Sequence, residues 1–268
     1  MGVLNITPDS FSDGGRFLDP EPALMHAREM LAAGADLLDL GAESTRPAGK
    51  SYGAGAASVP AEDELARLLP VLDALRAETD VVLSVDTRKG SVARAALAAG
   101  ADVVNDVSAL GDPELAEVAA AAGCPVVLMH SRGDLADMHL HARYDDVVAE
   151  VCAELSAALA RAEAAGVDRA QVVLDPGIGF AKTRVHNLAL LRRLDALATL
   201  GRPLLVGASR KSFIGELTGA PPGERLAGSL AAAGWAARHG AAIVRVHDVE
   251  ATVQFLAVDR AIAAAEHA

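Results

Sequence analysis

The sequence predicts a single-domain (β/α)8 barrel over residues 1–268, and three features lead to this prediction. Short apolar strands alternate with Ala-rich amphipathic helices along the whole chain. Strict alternation of this kind favours a parallel sheet. The unit recurs eight times with no linker or break in composition, and a chain of 268 residues has the length of one closed α/β barrel.

A small-residue turn marks the end of five of the predicted helices. Each copy contains a glycine that follows one or two small or polar residues and leads into the next strand. A glycine directly after a helix suits the left-handed conformation that ends many helices. The five turn glycines are Gly34, Gly100, Gly123, Gly166 and Gly240.

The predicted strands are short runs of Val, Leu and Ile, a composition that is typical of strands buried on both faces. Eight such runs are present. They are Gly2–Asn5, Leu37–Leu40, Val81–Val85, Val103–Asn105, Val126–Met129, Val172–Leu174, Leu204–Val206 and Ile243–Val246.

A helix is predicted after each of these strands, because apolar residues recur there at helical spacing. The predicted helices are Glu21–Ala33, Glu62–Ala77, Ser91–Ala99, Pro113–Ala122, Asp145–Ala165, Val185–Leu197, Gly223–Arg238 and Val249–Glu266. An additional short helix is expected to begin at Ser212, directly after the seventh strand.

Composition makes several classes of function improbable. The net charge of -12 and the aromatic content of 3% disfavour nucleic acid, which needs a cationic face and stacking platforms. The same charge disfavours anionic membrane surfaces. Cys124 and Cys152 have no metal-ligand spacing and fit a reducing compartment. With no apolar leader and no run of about 18 apolar residues, a soluble cytoplasmic protein is expected.

Every predicted strand has a polar residue at or just beyond its carboxyl end. In a (β/α)8 barrel these positions converge on one face, where barrel enzymes place their active sites. Loops are generally polar, but that alone does not explain acids and amides at the last strand positions. The convergent residues are Asn5, Asp39, Asp86, Asn105, His130, Asp175, Ser209 with Lys211, and Arg245 with His247.

The chemistry of these side chains indicates two neighbouring subsites. Asp86, Asn105, Asp175 and Lys211 offer acceptors and donors for a flat purine-like or pterin ring that carries adjacent N–H and C=O groups. Such a site discriminates strongly, because a wrong ring leaves buried polar groups unpaired.

The second subsite is predicted where the first and eighth strands meet in a closed barrel. Asn5, Arg245 and His247 end these two strands and could hold a phosphate or diphosphate together with its metal ion. Without barrel closure, the segment around Arg245 and His247 could equally be a polar strand end.

Two predicted loops are unusually rich in Gly, Ser and Pro. Residues 7–15 follow the first strand, and residues 41–60 form a connection that is long for a βα loop. They are interpreted as long mobile loops that act as lids over the site, and variable surface loops are the competing interpretation.

The motifs resemble those of the dihydropteroate synthase family, a family of pterin-binding barrels, over nearly the whole chain. The resemblance rests on eight segments in the family's order. These segments are Met1–Gly15, Asp39–Pro47, Ser84–Thr87, Val104–Val107, Leu128–His130, Leu174–Lys182, Gly207–Lys211 and Arg245–Val249.

The resemblance implies an alkyl-transfer reaction of folate biosynthesis. In it, 4-aminobenzoate displaces diphosphate from 6-hydroxymethyl-7,8-dihydropterin diphosphate by an SN1-like route, which forms 7,8-dihydropteroate. It also implies a Mg²⁺ cofactor, sensitivity to sulfonamides and a homodimer. The small-molecule substrates would be the only partners expected besides the second subunit.

The resemblance further assigns a role to each candidate residue. Asp86, Lys211, Asp175, Arg245 and His247 would be catalytic, with Asp86 stabilising a pterin methylene cation. The pterin would contact Asp86, Asn105, Met129, Asp175 and Lys211. The 4-aminobenzoate would contact Thr45, Pro47, Phe180 and Ser212. The diphosphate would contact Asn5, Arg46, Arg245 and His247, and Asn5 would also bind the metal.

Two alternatives remain open at this point. A pterin-binding methyltransferase barrel would share the ring contacts, but it should lack the basic segments Ser209–Lys211 and Arg245–His247, because it holds no diphosphate. A catalytically idle pterin-binding paralogue would keep the fold without turnover. The histidines other than His247 are interpreted as non-catalytic.

Overall fold

A computed structural model describes residues 1–6, 20–43, 59–134 and 137–265. These residues contain one eight-stranded parallel sheet in sequential order. The strands are β1 Gly2–Asn5, β2 Leu37–Gly41, β3 Val82–Asp86, β4 Val103–Asp106, β5 Val126–Met129, β6 Val172–Asp175, β7 Leu204–Val206 and β8 Ala241–Val244.

The sheet closes on itself through the residues that flank β1 and β8. Val246 forms a parallel bridge with Gly2. Val3 N donates to Val246 O at 3.0 Å, and Val246 N donates to Met1 O at 3.0 Å. This closure confirms the predicted barrel and brings the carboxyl ends of β1 and β8 side by side.

The helices lie between the strands, as the sequence predicts. They are α1 Glu21–Ala32, α2 Ala61–Glu78, α3 Gly90–Ala98, α4 Pro113–Ala122, α5 Val147–Ala164, α6 Arg184–Arg192, α7 Leu194–Ala198, α8 Ser212–Thr218, α9 Leu226–Arg238 and α10 Val249–Ala264. Short 3-10 turns occupy Met138–His141, Arg169–Gln171 and Pro222–Glu224. The five predicted turn glycines all have positive φ, between 61° and 100°.

The strand bounds differ from the prediction in an informative way. Strands β3 and β6 include the acids Asp86 and Asp175 that were expected just beyond them. The predicted eighth strand, Ile243–Val246, is wrong by two residues. An irregularity between Leu204 and Leu205 shifts the β7–β8 register toward the start of β8, and Val246 pairs with β1 instead.

The helix predicted over Val185–Leu197 is interrupted, because Arg193 leaves the helical conformation at φ -116° and ψ 39°. Helix α5 begins at Val147 rather than Asp145, since the Asp146 side chain caps it by accepting from Val148 N and Ala149 N. Helix α8 begins at Ser212, as predicted.

The strands separate two apolar layers. Their outward side chains pack against the helices in one large core that includes Leu40, Leu83 and Leu174. A smaller cluster of Met1, Val103, Val127 and Leu205 lies apart from this core, where alternation along the strands points side chains to the barrel interior. The polar residues of the candidate site lie nearer the carboxyl ends of the same strands, so the cluster forms the floor of the site.

The first predicted lid loop, residues 7–15, lies outside the described residues, and so do residues 44–58 of the second, residues 41–60. Among the helices of the described residues, none has the length and apolar character needed to cross a membrane.

Candidate active site

Asp39 is the centre of a buried polar network inside the barrel. It lies in the middle of β2 and has no solvent-exposed surface. Its carboxylate accepts from Ser84 Oγ at 2.6 Å, from Asn105 Nδ2 at 3.0 Å and from Arg245 Nε at 2.6 Å. The sequence marks Asp39 as a polar strand residue but assigns it no ligand. The structure makes it the residue that orients Asn105 and Arg245.

Asp86, at the end of β3, is held next to this network. Arg245 Nη2 donates to its Oδ2 at 2.9 Å. The other oxygen, Oδ1, is buried and has no hydrogen-bond partner among the described residues. Burial raises the pKa of Asp86 to about 7 against the opposing effect of Arg245, and the nearby Asp39 charge adds to the rise. A buried unpaired acceptor is costly, so Oδ1 is suited to receive a donor from a ligand.

Asp175 and Lys211 lie at the ends of β6 and β7. Asp175 accepts from Gly177 N at 2.7 Å, and burial raises its pKa to about 6. Burial and the nearby Arg245 lower the pKa of Lys211 to about 8. Within the described part of the chain, the Lys211 ammonium makes no hydrogen bond and lies 4.1 Å from the centroid of the Phe180 ring. Its donors are therefore free to bind a ligand.

An apolar wall adjoins this pair. Met129, at the end of β5, is 3% exposed and packs in a separate small cluster with Phe180, Val107, Met138 and Ala181. A wall of sulfur and aromatic side chains beside several carboxylates and a lysine suits a flat ring with a polar edge.

Ser209 and His247 join the loops after β7 and β8. The His247 backbone N–H donates to Ser209 Oγ at 3.3 Å, and His247 Nδ1 lies 3.0 Å from the same oxygen. Burial, together with Arg245, Arg210 and Lys211, lowers the pKa of His247 to about 4. The imidazole is therefore neutral at physiological pH, and its Nδ1 is in hydrogen-bond contact with Ser209 Oγ.

Arg210, to which the sequence analysis assigns no ligand, forms a salt bridge within the protein. Its Nε donates to Asp248 Oδ2 at 3.0 Å and its Nη2 to Asp248 Oδ1 at 2.5 Å. Its backbone adopts φ 57°, and its N–H donates to Ser229 Oγ at 2.9 Å. Arg210 therefore braces the β7 loop against the start of α10, and Lys211 is presented to the site from this braced turn.

The remaining candidates are distributed around this centre. Asn5 is half-buried at the end of β1, opposite Gly41 in the register. Ser212 is the first residue of α8 and directly follows Lys211. Thr45, Arg46 and Pro47 lie outside the described residues. Among the described residues, no group of three or more His, Cys, Asp and Glu side chains is arranged to hold a metal ion.

A second, partly buried cluster, which the sequence analysis missed, adjoins Phe180. Lys182 Nζ lies 2.8 Å from His130 Nδ1, and His130 Nε2 lies 3.0 Å from Glu154 Oε2. His130 was noted as a polar strand end, but Lys182 and Glu154 were given no role. The lysine follows a Gly-rich turn after β6, and the spacing from His130 to Glu154 carries no recognisable motif.

Comparison with known proteins agrees with this geometry. Residues 1–247 match the family described as pterin binding enzyme. The chain is 47% identical to the dihydropteroate synthase of Escherichia coli K12 over 266 residues, which cover 99% of this chain and 92% of that protein. It is 48% identical over 253 residues to a probable bifunctional folylpolyglutamate synthase/dihydropteroate synthase of Haloferax volcanii, and these cover 94% of this chain and 29% of the larger protein.

A solved structure gives the same relationship. The dihydropteroate synthase of Xanthomonas albilineans with 4-aminobenzoic acid superposes with a TM-score of 0.91 at 49% identity, covering 99% of this chain and 93% of that chain.

Proposed function

Because the chain belongs to the pterin binding enzyme family, we propose that it is a dihydropteroate synthase, an enzyme of folate biosynthesis. It would join 6-hydroxymethyl-7,8-dihydropterin diphosphate to 4-aminobenzoate and release diphosphate, which makes it a transferase of an alkyl group other than methyl. The observation that carries this proposal is the buried Asp86 Oδ1, which has no hydrogen-bond partner among the described residues, in a site that also contains Arg245 and Lys211.

The pterin ring occupies the cleft between Asp86, Asn105, Asp175 and Lys211. The carboxylates accept from the ring N–H groups, Lys211 donates to its carbonyl and ring nitrogen, and Met129 packs against its face. Burial raises the pKa of both carboxyls and lowers that of Lys211. A ring that pairs these groups relieves the cost of their burial, so recognition is selective.

The diphosphate lies at the junction of β1 and β8. The guanidinium of Arg245 uses Nε and Nη2 for Asp39 and Asp86, which leaves Nη1 for a phosphate oxygen. His247 would donate from Nε2, and Arg46, which lies outside the described residues, would add a second guanidinium. These donors favour the charge that develops on the leaving group, and they do so in a preorganised site.

Asn5 would hold Mg²⁺ through its side-chain oxygen. A single protein oxygen fits this ion, which commonly takes most of its ligands from water and substrate phosphates rather than from a cage of side chains. When bound, Mg²⁺ neutralises charge on the diphosphate.

The reaction proceeds by an SN1-like route. Departure of diphosphate leaves a pterin methylene cation, and the Asp86 carboxylate, in its ionised form, stabilises that cation. The amine of 4-aminobenzoate then attacks and needs little help from a general base. Phe180 and Ser212 line the arylamine pocket, to which Thr45 and Pro47, outside the described residues, would also contribute. A related dihydropteroate synthase was solved with 4-aminobenzoic acid, which supports 4-aminobenzoate as a ligand of this fold.

The enzyme acts as a homodimer in the cytoplasm. The last βα unit is poorly covered: none of the four residues of β8 is fully buried, and α10 buries only Val249 and Thr252. Val258 and Ile262 are 61% and 71% exposed one helical turn apart. A second copy would cover this face. The two free thiols, Cys124 and Cys152, fit a reducing compartment.

A turnover assay tests the proposal. Purified protein with Mg²⁺ and both substrates should form 7,8-dihydropteroate and release one diphosphate per product. A sulfonamide should inhibit, and excess 4-aminobenzoate should relieve that inhibition. Absence of product together with tight binding of methyltetrahydrofolate would instead indicate a methyltransferase-type barrel. Binding of the pterin without turnover of either substrate would indicate an idle paralogue.

A further inference from the structure

The turn after β6, residues 177–182, is fixed from two sides. A Cβ on Gly177 would meet the His130 carbonyl oxygen at 1.9 Å, and one on Gly179 would meet Lys211 Cδ at 3.0 Å. Both glycines have positive φ. The turn is therefore packed between the end of β5 and the lysine of the candidate site, with no room for a side chain at Gly177 and little at Gly179.

The end of this turn carries backbone strain. Ala181 has φ 48°, in the left-handed region that is unfavourable for a residue other than glycine. Such a conformation persists only where its surroundings impose it. The carbonyl groups of Phe180 and Ala181 are both held by side-chain donors. Lys182 Nζ donates to Phe180 O at 2.9 Å, and Tyr144 Oη donates to Ala181 O at 3.1 Å.

Both tethers are themselves anchored. Lys182 also contacts His130 Nδ1 at 2.8 Å and His130 O at 3.3 Å. Burial and the nearby Lys182 lower the pKa of His130 to about 4, so its neutral ring can accept at Nδ1 while Nε2 donates to Glu154. Arg132 binds Glu154 and stacks 4.0 Å from the centroid of the Tyr144 ring. One connected network therefore supports Lys182 and Tyr144.

The side chain that this turn presents is Phe180. Its ring lies 4.1 Å from Lys211 Nζ, within the distance at which a cation and an aromatic face attract each other. We propose that Lys182 and Tyr144 are positioning residues, which hold the 180–182 backbone so that Phe180 faces Lys211 and forms one wall of the arylamine pocket. The kinetic part of this inference rests on the proposed dihydropteroate synthase activity.

The first test replaces Lys182 with Met, which keeps the length of the side chain and removes its donors. The KM for 4-aminobenzoate should rise about tenfold, equivalent to about 1.4 kcal/mol, while kcat changes by less than about threefold. Adding Lys182→Met to a Phe180→Leu variant should then have little further effect, because residues that act through one another are not additive. Equal losses in both backgrounds would overturn the proposal.

A second variant guards against misfolding of the first. Tyr144→Phe removes only the hydroxyl group that binds Ala181 O and should raise the same KM in the same direction by a smaller factor. The matched control is Arg202→Met. Arg202 binds two carbonyls, Val172 O and Ala170 O, at the opposite end of β6, so its loss should lower the melting temperature without changing KM. An unchanged KM in Tyr144→Phe would overturn the proposal.

A crystal structure of Lys182→Met supplies a readout that is independent of activity. Phe180 should leave Lys211, with the Nζ-to-centroid distance beyond about 6 Å, the limit of a cation–π contact. A ring that stays in place would contradict the proposed positioning. If wild-type protein forms no dihydropteroate while Phe180 moves in the variant, the proposed function fails and the positioning role stands.

Discussion

Lys211 carries an ammonium group whose hydrogen-bond donors are available to a ligand. This group makes no hydrogen bond within the described part of the chain. Burial lowers its pKa to about 8. We expect Lys211→Ala to reduce kcat/KM about 30-fold, or about 2 kcal/mol, the loss of a charged hydrogen bond in a buried site. Steady-state kinetics would measure this loss. Arg192→Ala, on the exposed face of α6, is the control, and wild-type kinetics in Lys211→Ala would refute the placement.

The two carboxyls of the pterin site predict a pH dependence. The pKa values of Asp86 and Asp175 are raised to about 7 and about 6, so both side chains lose the charge that accepts ring N–H groups as the pH falls through this range. The affinity for 6-hydroxymethyl-7,8-dihydropterin, which carries no phosphate, should therefore rise between pH 5 and pH 8. Calorimetric titration would measure it.

The Asp86→Asn variant separates the two carboxyls. It should bind the same dihydropterin more weakly at pH 8 and retain only the lower of the two transitions, the one that belongs to Asp175. Affinity that is flat from pH 5 to pH 8 in the wild type would contradict the assignment of these carboxylates to the ring.

Sequence reasoning predicted which polar residues converge at the strand ends but not the contacts between them. Asp86, Asn105 and Asp175 were predicted to share one face because the carboxyl ends of parallel strands meet there, and barrel closure brings those ends together. The tie of Arg245 to Asp39 spans 206 positions in the chain, and no local pattern encodes such a pair. The same holds for Lys182 and His130, which follow different strands and meet only when β5 pairs with β6.

At the scale of elements, Glu43 links the two described ends of the connection between β2 and α2. It is buried, and it accepts from Val59 N at 3.0 Å, Lys89 Nζ at 2.9 Å and Arg88 Nη2 at 3.1 Å. We expect Glu43→Gln to lower the free energy of unfolding by about 2 kcal/mol, because its hydrogen bonds involve charged partners. Urea denaturation with an unchanged m-value would measure this loss.

The pH dependence of this effect has a defined sign. Burial favours the protonated form of Glu43, but the Lys89 and Val59 donors outweigh it and leave its pKa lowered. The carboxylate therefore stabilises the fold at neutral pH, and that contribution is lost as the pH falls through the lowered pKa. Glu78→Gln removes the exposed pair with Arg28 and should cost less stability than Glu43→Gln, because solvent screens an exposed ion pair. Equal costs for the two variants would contradict the role given to Glu43.

Element boundaries were predictable where the local sequence alone determines them. Four elements match the prediction to the residue: β1, β5, β7 and α4. Boundaries were less predictable where a distant strand or an unmarked backbone change determines them. Val246 has the apolar side chain of a strand residue. Its backbone nevertheless pairs with Gly2 of β1, where the barrel closes, and does not continue β8. Arg193 ends α6 without any Gly or Pro to signal the break.

At the scale of the whole molecule, the barrel is covered unevenly. Seven strands contain fully buried residues, whereas every residue of β8 keeps some solvent exposure. The outer face of α10 presents Val258 and Ile262 to solvent. Two large apolar side chains at i and i+4 on an exposed helix form a continuous stripe, and exposed apolar surface of this kind marks an interaction site. An isologous contact between two copies would bury the stripe on both.

We therefore expect the 27.4 kDa chain to behave in light scattering as a dimer of about 55 kDa (2 × 27.4 kDa). Replacing both residues, Val258→Glu with Ile262→Glu, should place like charges on each side of the contact and yield a monomer. Val185→Glu is the matched control, because Val185 is 67% exposed on α6 and lies outside the stripe. A wild-type monomer at all concentrations would exclude the dimer, and a dimer that survives the double substitution would move its interface away from α10.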